Sequence, residues 1–125
     1  LCAVAQRLVR RLCFDCRERF EPSDVDLELL GFPRAKIPST ATFYRAGGCV
    51  ECAQTGYAGR IGIYEALEVS DEVRRLVLEK VDAQTIKQVA ARSGMKTLRH
   101  DGAEKVILGE TTIEEVLRVT HQDVD

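Results

Sequence analysis

The sequence contains no tryptophan, and with only four phenylalanines and three tyrosines, aliphatic side chains must supply most of the core. It also lacks an excess of either charge, since 18 basic residues oppose 20 acidic ones and leave a net charge of -2. No run of like charges is long enough to serve as an arm for nucleic acid or for an anionic membrane. The apolar runs are too short for a transmembrane helix.

The start of the chain has no basic leader followed by an apolar segment and a cleavage site. We therefore expect no secretory signal and a reducing compartment. The first residue is Leu1 rather than methionine, and we interpret the chain as a piece of a longer protein. Its 125 residues, 45% apolar and 30% charged, have the composition of one globular domain. A complete multi-domain enzyme is not expected at this length.

Four of the five cysteines form two C-x-x-C pairs, Cys13 with Cys16 and Cys49 with Cys52. Two thiolates three residues apart can bind one ion within a tight knuckle, and two knuckles supply the four sulfurs of a closed tetrahedral zinc site. A closed site has no open coordination position. The zinc is therefore predicted to be structural rather than catalytic.

Other chemistry is compatible with four cysteines. A pair of disulfides would need an oxidising compartment, and a redox dithiol would need a thioredoxin-like strand-to-helix context. An iron–sulfur cluster also takes four thiolates, although its usual cysteine runs are spaced differently. Cys2 lies outside the pattern and is interpreted as a small apolar residue.

The first twelve positions carry apolar residues at helical spacing, which predicts an amphipathic helix over residues 1–12. The apolar set consists of Leu1, Val4, Ala5, Leu8, Val9 and Leu12. The opposite face of this predicted helix carries arginines.

The segment between the cysteine pairs is predicted to contain one short helix and one strand. Ser23 is placed to begin the helix and Gly31 to end it. The strand is predicted over residues 40–45. Gly47 and Gly48 follow it, and we expect them to let backbone amides turn toward sulfur.

After the second cysteine pair, a glycine-rich turn leads into a predicted strand over residues 63–69. Its glycines do not form a phosphate-binding loop, because no G-x-x-x-x-G-K-[ST] pattern occurs in the chain. Four short helices are then predicted, and their apolar residues are expected to form a small bundle. The helices have N-caps at Ser70, Asp82, Thr97 and Thr112, and glycine stops at Gly94 and Gly109.

The predicted fold class is α+β, with a small four-cysteine zinc module containing short strands, followed by a C-terminal bundle of short helices. We expect three parts: a helix over residues 1–12, a zinc-binding module over residues 13–60, and a strand with a helical subdomain over residues 61–125.

Several stretches together resemble the C-terminal end of the ATPases that drive type II secretion and type IV pilus extension. They are AQRLVRRLC (5–13), GCVEC (48–52), TGYAGRIGIYE (55–65), TLR (97–99), DG (101–102), KV (105–106) and EEVLRVT (114–120). These motifs span nearly the whole chain.

The resemblance implies a hexameric parent protein with a RecA-like core that binds ATP and magnesium through Walker motifs upstream of this chain. Residues 1–12 would then end a helix of that core, and the strand after the second knuckle would return to the core sheet. We expect this fragment alone to hydrolyse no ATP. By analogy, Arg60 is predicted to approach the bound nucleotide, since a guanidinium suits phosphate or ribose contacts.

The resemblance also implies partners and a location. The partners would be neighbouring subunits of the hexamer and the inner-membrane platform or cytoplasmic linker proteins, and the protein would be cytoplasmic at the inner face of the bacterial inner membrane. Two alternative functions are a zinc-ribbon nucleic-acid reader, which the acidic net charge disfavours, and a dithiol redox domain, which needs a metal-free pair of cysteines.

Overall fold

The computed structural model describes residues 2–68, 70–92 and 96–120. Two short 3-10 helices, Arg34–Lys36 and Val50–Cys52, lie between the main elements. In chain order those elements are β1 (Cys2–Leu12), β2 (Glu18–Arg19), α1 (Asp24–Leu30), β3 (Tyr44–Arg45), β4 (Tyr57–Glu68), α2 (Asp71–Leu78), α3 (Ala83–Arg92), α4 (Leu98–Ile107) and α5 (Ile113–Thr120).

Strands β1 and β4 form a long antiparallel two-stranded ribbon. Their register runs from Cys2 opposite Glu68 at one end to Leu12 opposite Tyr57 at the other, with an irregularity between Arg10 and Leu12. One face of the ribbon carries Val9 and Ile63, which pack with Leu98 of α4 in a fully buried cluster. The ribbon is therefore amphipathic, and α4 covers its apolar face.

The predicted helix over residues 1–12 is wrong, because residues 2–12 are strand β1. The apolar residues do recur every three or four positions, but they lie on both faces of the strand. Val9 and Leu12 are buried, whereas Val4 and Leu8 are exposed. The backbone hydrogen bonds of this segment are made with β4, which local periodicity does not report.

Strand β4 is longer than predicted, because it begins at Tyr57 within the stretch expected to be a glycine-rich turn. Gly62 lies inside it, and a Cβ atom there would come within 2.7 Å of the Tyr64 hydroxyl oxygen. The glycine thus leaves room for a tyrosine ring laid along the strand. Val69, the predicted end of this strand, lies outside the described residues.

The strand predicted over residues 40–45 is reduced to its last two residues, Tyr44–Arg45. They pair with Glu18–Arg19, which the sequence did not indicate as a strand. A two-residue strand is too short to show an alternation of apolar and polar residues in the sequence. These two strands pair because the two knuckles next to them come together.

The five α-helices lie where the sequence predicts them, and their ends follow the predicted capping residues. The Ser70 hydroxyl accepts from the Val73 N–H at 3.2 Å, and the Thr97 hydroxyl accepts from the His100 N–H at 3.1 Å. Gly31 ends α1 with a left-handed φ of 93°. The predicted stop at Gly94 lies outside the described residues.

The prediction that the four C-terminal helices surround one common core is wrong. Helices α4 and α5 share their main core with α1 and with Phe43 from the insert between the knuckles. Helices α2 and α3 pack against each other, and Val77 of α2 is 54% exposed. Within the described residues, no helix is both long and apolar enough to cross a membrane.

Gly102 explains how α4 and α5 approach so closely. A Cβ atom at this position would lie 2.6 Å from Cγ1 of Val116 on α5. Glycine in a helix interior costs about 1 kcal/mol relative to alanine. The contact between α4 and α5 offsets that cost. Only a residue without a side chain fits at this position.

A buried carboxylate on α5 joins the helices to the ribbon. Glu115 is 2% exposed and accepts hydrogen bonds from the Arg10 backbone N–H and the Arg10 guanidinium, both at 2.9 Å. The Arg118 guanidinium donates two more, at 3.1 and 3.0 Å. Burial alone raises the pKa of Glu115, but the hydrogen bonds from Arg118 and Arg10 outweigh it and lower the pKa to about 2.

We expect the carboxylate of Glu115 to make the free energy of unfolding depend on pH. A carboxyl with a lowered folded-state pKa stabilises the fold above its unfolded pKa, and that contribution is lost as the pH falls toward the folded value. Between about pH 6 and pH 3 the loss should be about 2 kcal/mol more in the unaltered chain than in Glu115→Gln.

Urea unfolding followed by circular dichroism measures this difference. Glu114→Gln is the matched control, since it makes the same exchange at the exposed neighbour on the same helix. An equal pH dependence in Glu115→Gln and the unaltered chain would contradict the role assigned to Glu115.

Candidate metal centre

The sulfur atoms of the four paired cysteines form one cluster. All four Sγ atoms lie within 4.8 Å of one another. The separations are 3.8 Å for Cys13 to Cys49, 3.8 Å for Cys16 to Cys52 and 3.7 Å for Cys49 to Cys52. Each is far longer than a disulfide bond of about 2.0 Å.

The elements around the cluster bring the two knuckles together. The first knuckle begins where β1 ends, and the Cys13 N–H donates to the Gly56 carbonyl at 2.9 Å, just before β4 begins. Strand β2, which follows the first knuckle, pairs with strand β3, which precedes the second. Gly47 passes so close to the Cys16 carbonyl that a Cβ atom there would collide with it.

Backbone amides point at two of the sulfurs. The Gly48 N–H donates to Cys16 Sγ at 3.1 Å, as predicted for the glycines before the second knuckle. Cys52 Sγ accepts from the N–H groups of Cys49 at 3.3 Å and Gly56 at 3.1 Å. Burial alone raises the pKa of the Cys52 thiol, but these two donors outweigh it and lower the pKa to about 6.

Two of the other thiols do not share this stabilisation. Burial raises the pKa of Cys13, and it raises the pKa of Cys16 to about 12 despite the donor from Gly48. These shifts favour the thiolate form of Cys52 and disfavour it for Cys13 and Cys16. A cation among the sulfurs is the group that favours the remaining thiolates.

The donor set fits zinc. Four sulfurs placed tetrahedrally at the usual zinc–sulfur distance of about 2.3 Å lie about 3.8 Å from one another. The three separations given above match this value. Cys13, Cys16, Cys49 and Cys52 would hold the ion, and a zinc bound by four thiolates has no position left for water or substrate.

Two arginines near the first knuckle contact aromatic rings. The guanidinium groups of Arg11 and Arg17 lie over the Phe14 ring, with Cζ at 4.5 and 4.3 Å from its centroid. Arg17 also lies 3.9 Å from the Tyr44 ring centroid and donates to the Gly109 carbonyl at 2.6 Å. Arg17 therefore connects the first knuckle to the end of α4.

Sequence reasoning did not identify this connection. The spacing of Arg11, Phe14 and Arg17 was a usable signal. An arginine three positions before or after an aromatic residue can place its guanidinium group over the ring. No sequence pattern indicated the contact with Gly109, which lies 92 positions away along the chain.

Arg60, the predicted nucleotide contact, lies on β4 and not in the turn before it. Its backbone is opposite Arg10 in the ribbon register, and its side chain is exposed. Arg10 is paired with Glu115, whereas Arg60 makes no ion pair within the described part of the chain.

Comparisons with known proteins agree on one family. The profile described as "Type II/IV secretion system protein" matches residues 1–118. The chain is 45% identical over 117 residues to the type IV pilus assembly ATPase PilB of Thermus thermophilus, covering 94% of this chain and 13% of that protein. It is 44% identical over 120 residues to type II secretion system protein E of Pseudomonas aeruginosa, covering 96% of this chain and 23% of that protein.

A third relative is the type IV pilus assembly ATPase PilB of Myxococcus xanthus, 42% identical over 123 residues that cover 96% of this chain and 21% of that protein. The chain therefore spans between 13% and 23% of the length of these curated relatives.

We expect the purified chain to contain one zinc ion, because four sulfurs at these separations form a complete ligand set. Cys49→Ser should lose the ion, because three thiolates bind zinc more weakly than four. The serine hydroxyl that replaces the fourth thiol is a poor zinc ligand. Chelation should also unfold the knuckles, because binding and folding of such a site are coupled.

Native mass spectrometry measures the metal content, and circular dichroism measures the fold. Cys2→Ser is the control, since it makes the same exchange outside the cysteine cluster. A chain that folds without metal, or a Cys49→Ser variant that retains one zinc per chain, would contradict the assignment.

Proposed function

Since the chain belongs to the Type II/IV secretion system protein family, we propose that it is the zinc-binding and helical module of a longer ATPase that drives type II protein secretion or type IV pilus assembly. The resemblance seen in the sequence motifs is thereby confirmed as membership of this family. Both branches are represented among the relatives, and the proposal does not distinguish them.

In this proposal, ATP and magnesium bind elsewhere in the longer protein, on a RecA-like core. The relatives named above are four to eight times longer than the matched region, which leaves ample length for such a core. This chain carries no P-loop pattern of its own. Its contribution is structural, and it hydrolyses no ATP in isolation.

The observation that carries the structural role is the place of the cysteine cluster in the fold. It lies at the end of the β1–β4 ribbon, where the Leu12 N–H also donates to the Glu110 carbonyl at 2.9 Å. Arg17, from the first knuckle, reaches Gly109 in the same turn. A zinc ion bound by the cluster would hold the ribbon end, the insert between the knuckles and the α4–α5 turn together.

The module would present these joined elements to neighbouring subunits of a hexamer and to the inner-membrane platform or linker proteins, on the cytoplasmic side of the inner membrane. The support for this assembly is family membership. The alternative nucleic-acid reader is disfavoured, because the net charge is -2 and specific nucleic-acid interfaces are strongly basic.

The dithiol alternative has one supporting observation, the lowered pKa of Cys52. Reactive cysteines are partly exposed, however, and Cys52 is only 7% exposed. The two backbone N–H groups that lower its pKa also suit a metal-bound thiolate, because metal ligands commonly form hydrogen bonds with the groups around them. The zinc interpretation therefore explains both the pKa and the burial.

The test is Cys49→Ser in the full-length ATPase. We expect secretion or pilus assembly to fall by at least tenfold, because loss of one of the four zinc ligands should unfold the knuckles. Nucleotide binding should remain, since the cluster does not contribute to it in this proposal. Cys2→Ser is again the matched control, and full secretion at unchanged thermal stability in Cys49→Ser would show that zinc is incidental.

Arg60 is proposed to contact nucleotide in the assembled ATPase, because it is exposed and has no ion-pair partner among the described residues. A hydrogen bond from a guanidinium to phosphate is worth about 1.5 to 3 kcal/mol. Arg60→Ala in the full-length protein should therefore weaken nucleotide affinity by about tenfold or more. Isothermal titration calorimetry measures the nucleotide affinity. Arg19→Ala is the control, because it removes another exposed arginine. An unchanged affinity in Arg60→Ala would exclude Arg60 from the nucleotide site.

A further inference from the structure

The face of the β1–β4 ribbon that points away from the buried Val9 and Ile63 is largely exposed. Side chains alternate between the two faces of a strand, so this face carries the even-numbered residues of both strands. All of them from 4 to 10 and from 60 to 66 are exposed except Gly62, which is half-buried. We call this surface the outer face: Val4, Gln6, Leu8 and Arg10 on β1, and Arg60, Gly62, Tyr64 and Ala66 on β4.

An aromatic ring lies on the outer face over a glycine. A Cβ atom at Gly62 would come within 2.7 Å of the Tyr64 hydroxyl oxygen and 2.9 Å of Tyr64 Cζ. The side-chain amide of Gln6, directly opposite on β1, donates to that hydroxyl at 3.3 Å. Tyr64 is still 50% exposed, so the ring rests on the strand on one side and is open on the other. A ring held in this way is a platform on which a second planar ring can stack.

Two arginines lie opposite each other on the same face, near the first knuckle. Arg10 and Arg60 are register partners, and like charges in such a pair repel. Arg10 pairs with Glu115, but that carboxylate also accepts from Arg118. Arg60 makes no ion pair within the described part of the chain. This end of the outer face therefore retains positive charge and suits an anion.

The platform and the positive charge are close enough for one small ligand. Gly62, which lies under the Tyr64 ring, is two positions from Arg60, about 6.6 Å along the strand. A ligand that uses both features has a planar ring and an anionic group separated by a short linker. Nucleoside phosphates have this chemistry, since a sugar joins the base to the phosphates. Bases stack on aromatic side chains, and guanidinium groups bind phosphate.

An apolar partner fits the outer face less well. A helix laid over the ribbon would bury Val4 and Leu8, which are 62% and 47% exposed. It would also remove Arg60 from water without supplying an anion, and burial of an unpaired charge is costly. The charge at this end of the face thus favours an anionic ligand.

We propose that the outer face holds the base of the nucleotide, with the Tyr64 ring stacked on the base and Arg60 bound to phosphate. Gly62 and Gln6 are positioning residues, because they determine where the Tyr64 ring lies. Arg10 adds positive charge while it remains bound to Glu115. This inference rests on the proposed function and deepens it, since it adds a base subsite to the phosphate contact assigned to Arg60.

Calorimetric titration of the full-length ATPase with ATP and with inorganic triphosphate separates the base from the phosphates. Tyr64→Ala should weaken ATP binding about tenfold, because stacking on an aromatic side chain contributes on that order, and should leave triphosphate binding unchanged. Tyr64→Phe keeps the ring and should bind ATP within about twofold of the unaltered protein. Arg60→Ala should weaken the binding of both ligands.

Gly62→Ala tests the platform while the tyrosine remains. Gly62 does not have a left-handed φ, so alanine fits the backbone, and its Cβ atom displaces the Tyr64 ring. ATP affinity should fall severalfold and triphosphate affinity should not change. Val4→Ala is the matched control, since it shortens an exposed side chain at the far end of the same face. It should change neither affinity.

The two ligands also separate this inference from the proposed function. Full ATP affinity in both Tyr64→Ala and Gly62→Ala would overturn the base subsite, and so would an equal loss of ATP and triphosphate binding in Gly62→Ala. If Arg60→Ala alone weakens both ligands, the phosphate contact stands without a base subsite. An unaltered full-length protein that binds neither ligand would contradict the proposed function itself.

Discussion

Four sulfur atoms within 4.8 Å of one another are the constraint around which the rest of this chain is arranged. Thiolates repel at such distances, and backbone N–H groups donate to some of them, among them those of Gly48, Cys49 and Gly56. Two of these donate to Cys52, whereas burial raises the pKa values of Cys13 and Cys16. The cluster is a possible metal site, and its sulfur separations and four thiol ligands fit zinc.

The position of the cluster extends its influence beyond the knuckles. The end of the β1–β4 ribbon, the two short strands and the turn before α5 all meet beside it. Arg17 lies between the Phe14 and Tyr44 rings and donates to Gly109, so the first knuckle and the helices share one side chain. Disorder in the knuckles would remove the surroundings that hold this arginine.

A second polar contact joins the ribbon to the helices independently of the cysteines. Glu115 is buried, and it retains its charge because two guanidinium groups and one backbone amide donate to it. Removing a single partner of such a group is costly, since an uncompensated charge is left behind. The chain thus has two polar anchors on one ribbon, and between them the apolar cluster of Val9, Ile63 and Leu98 fills the interface.

Much of the candidate site and of the helical region could be read from the sequence, whereas the strands could not. The two C-x-x-C pairs predicted that four sulfurs share one site, and capping residues such as Ser70 and Thr97 marked helix starts correctly. Residues 1–12 were predicted to be helical because their apolar spacing suits both a helix and a strand with apolar residues on two faces. The single helical bundle also failed, since α1 and Phe43 come from the insert between the knuckles.

The sequence by itself determined the features that depend on residues within a few positions of one another. These are the knuckles, the helix caps and the glycine stop at Gly31, because their partners are supplied locally. Only the tertiary structure decided that residues 2–12 form a strand and that Arg10 neutralises Glu115. Their hydrogen-bond partners come from β4 and α5, more than forty positions away, and no local pattern encodes which distant segment will supply them.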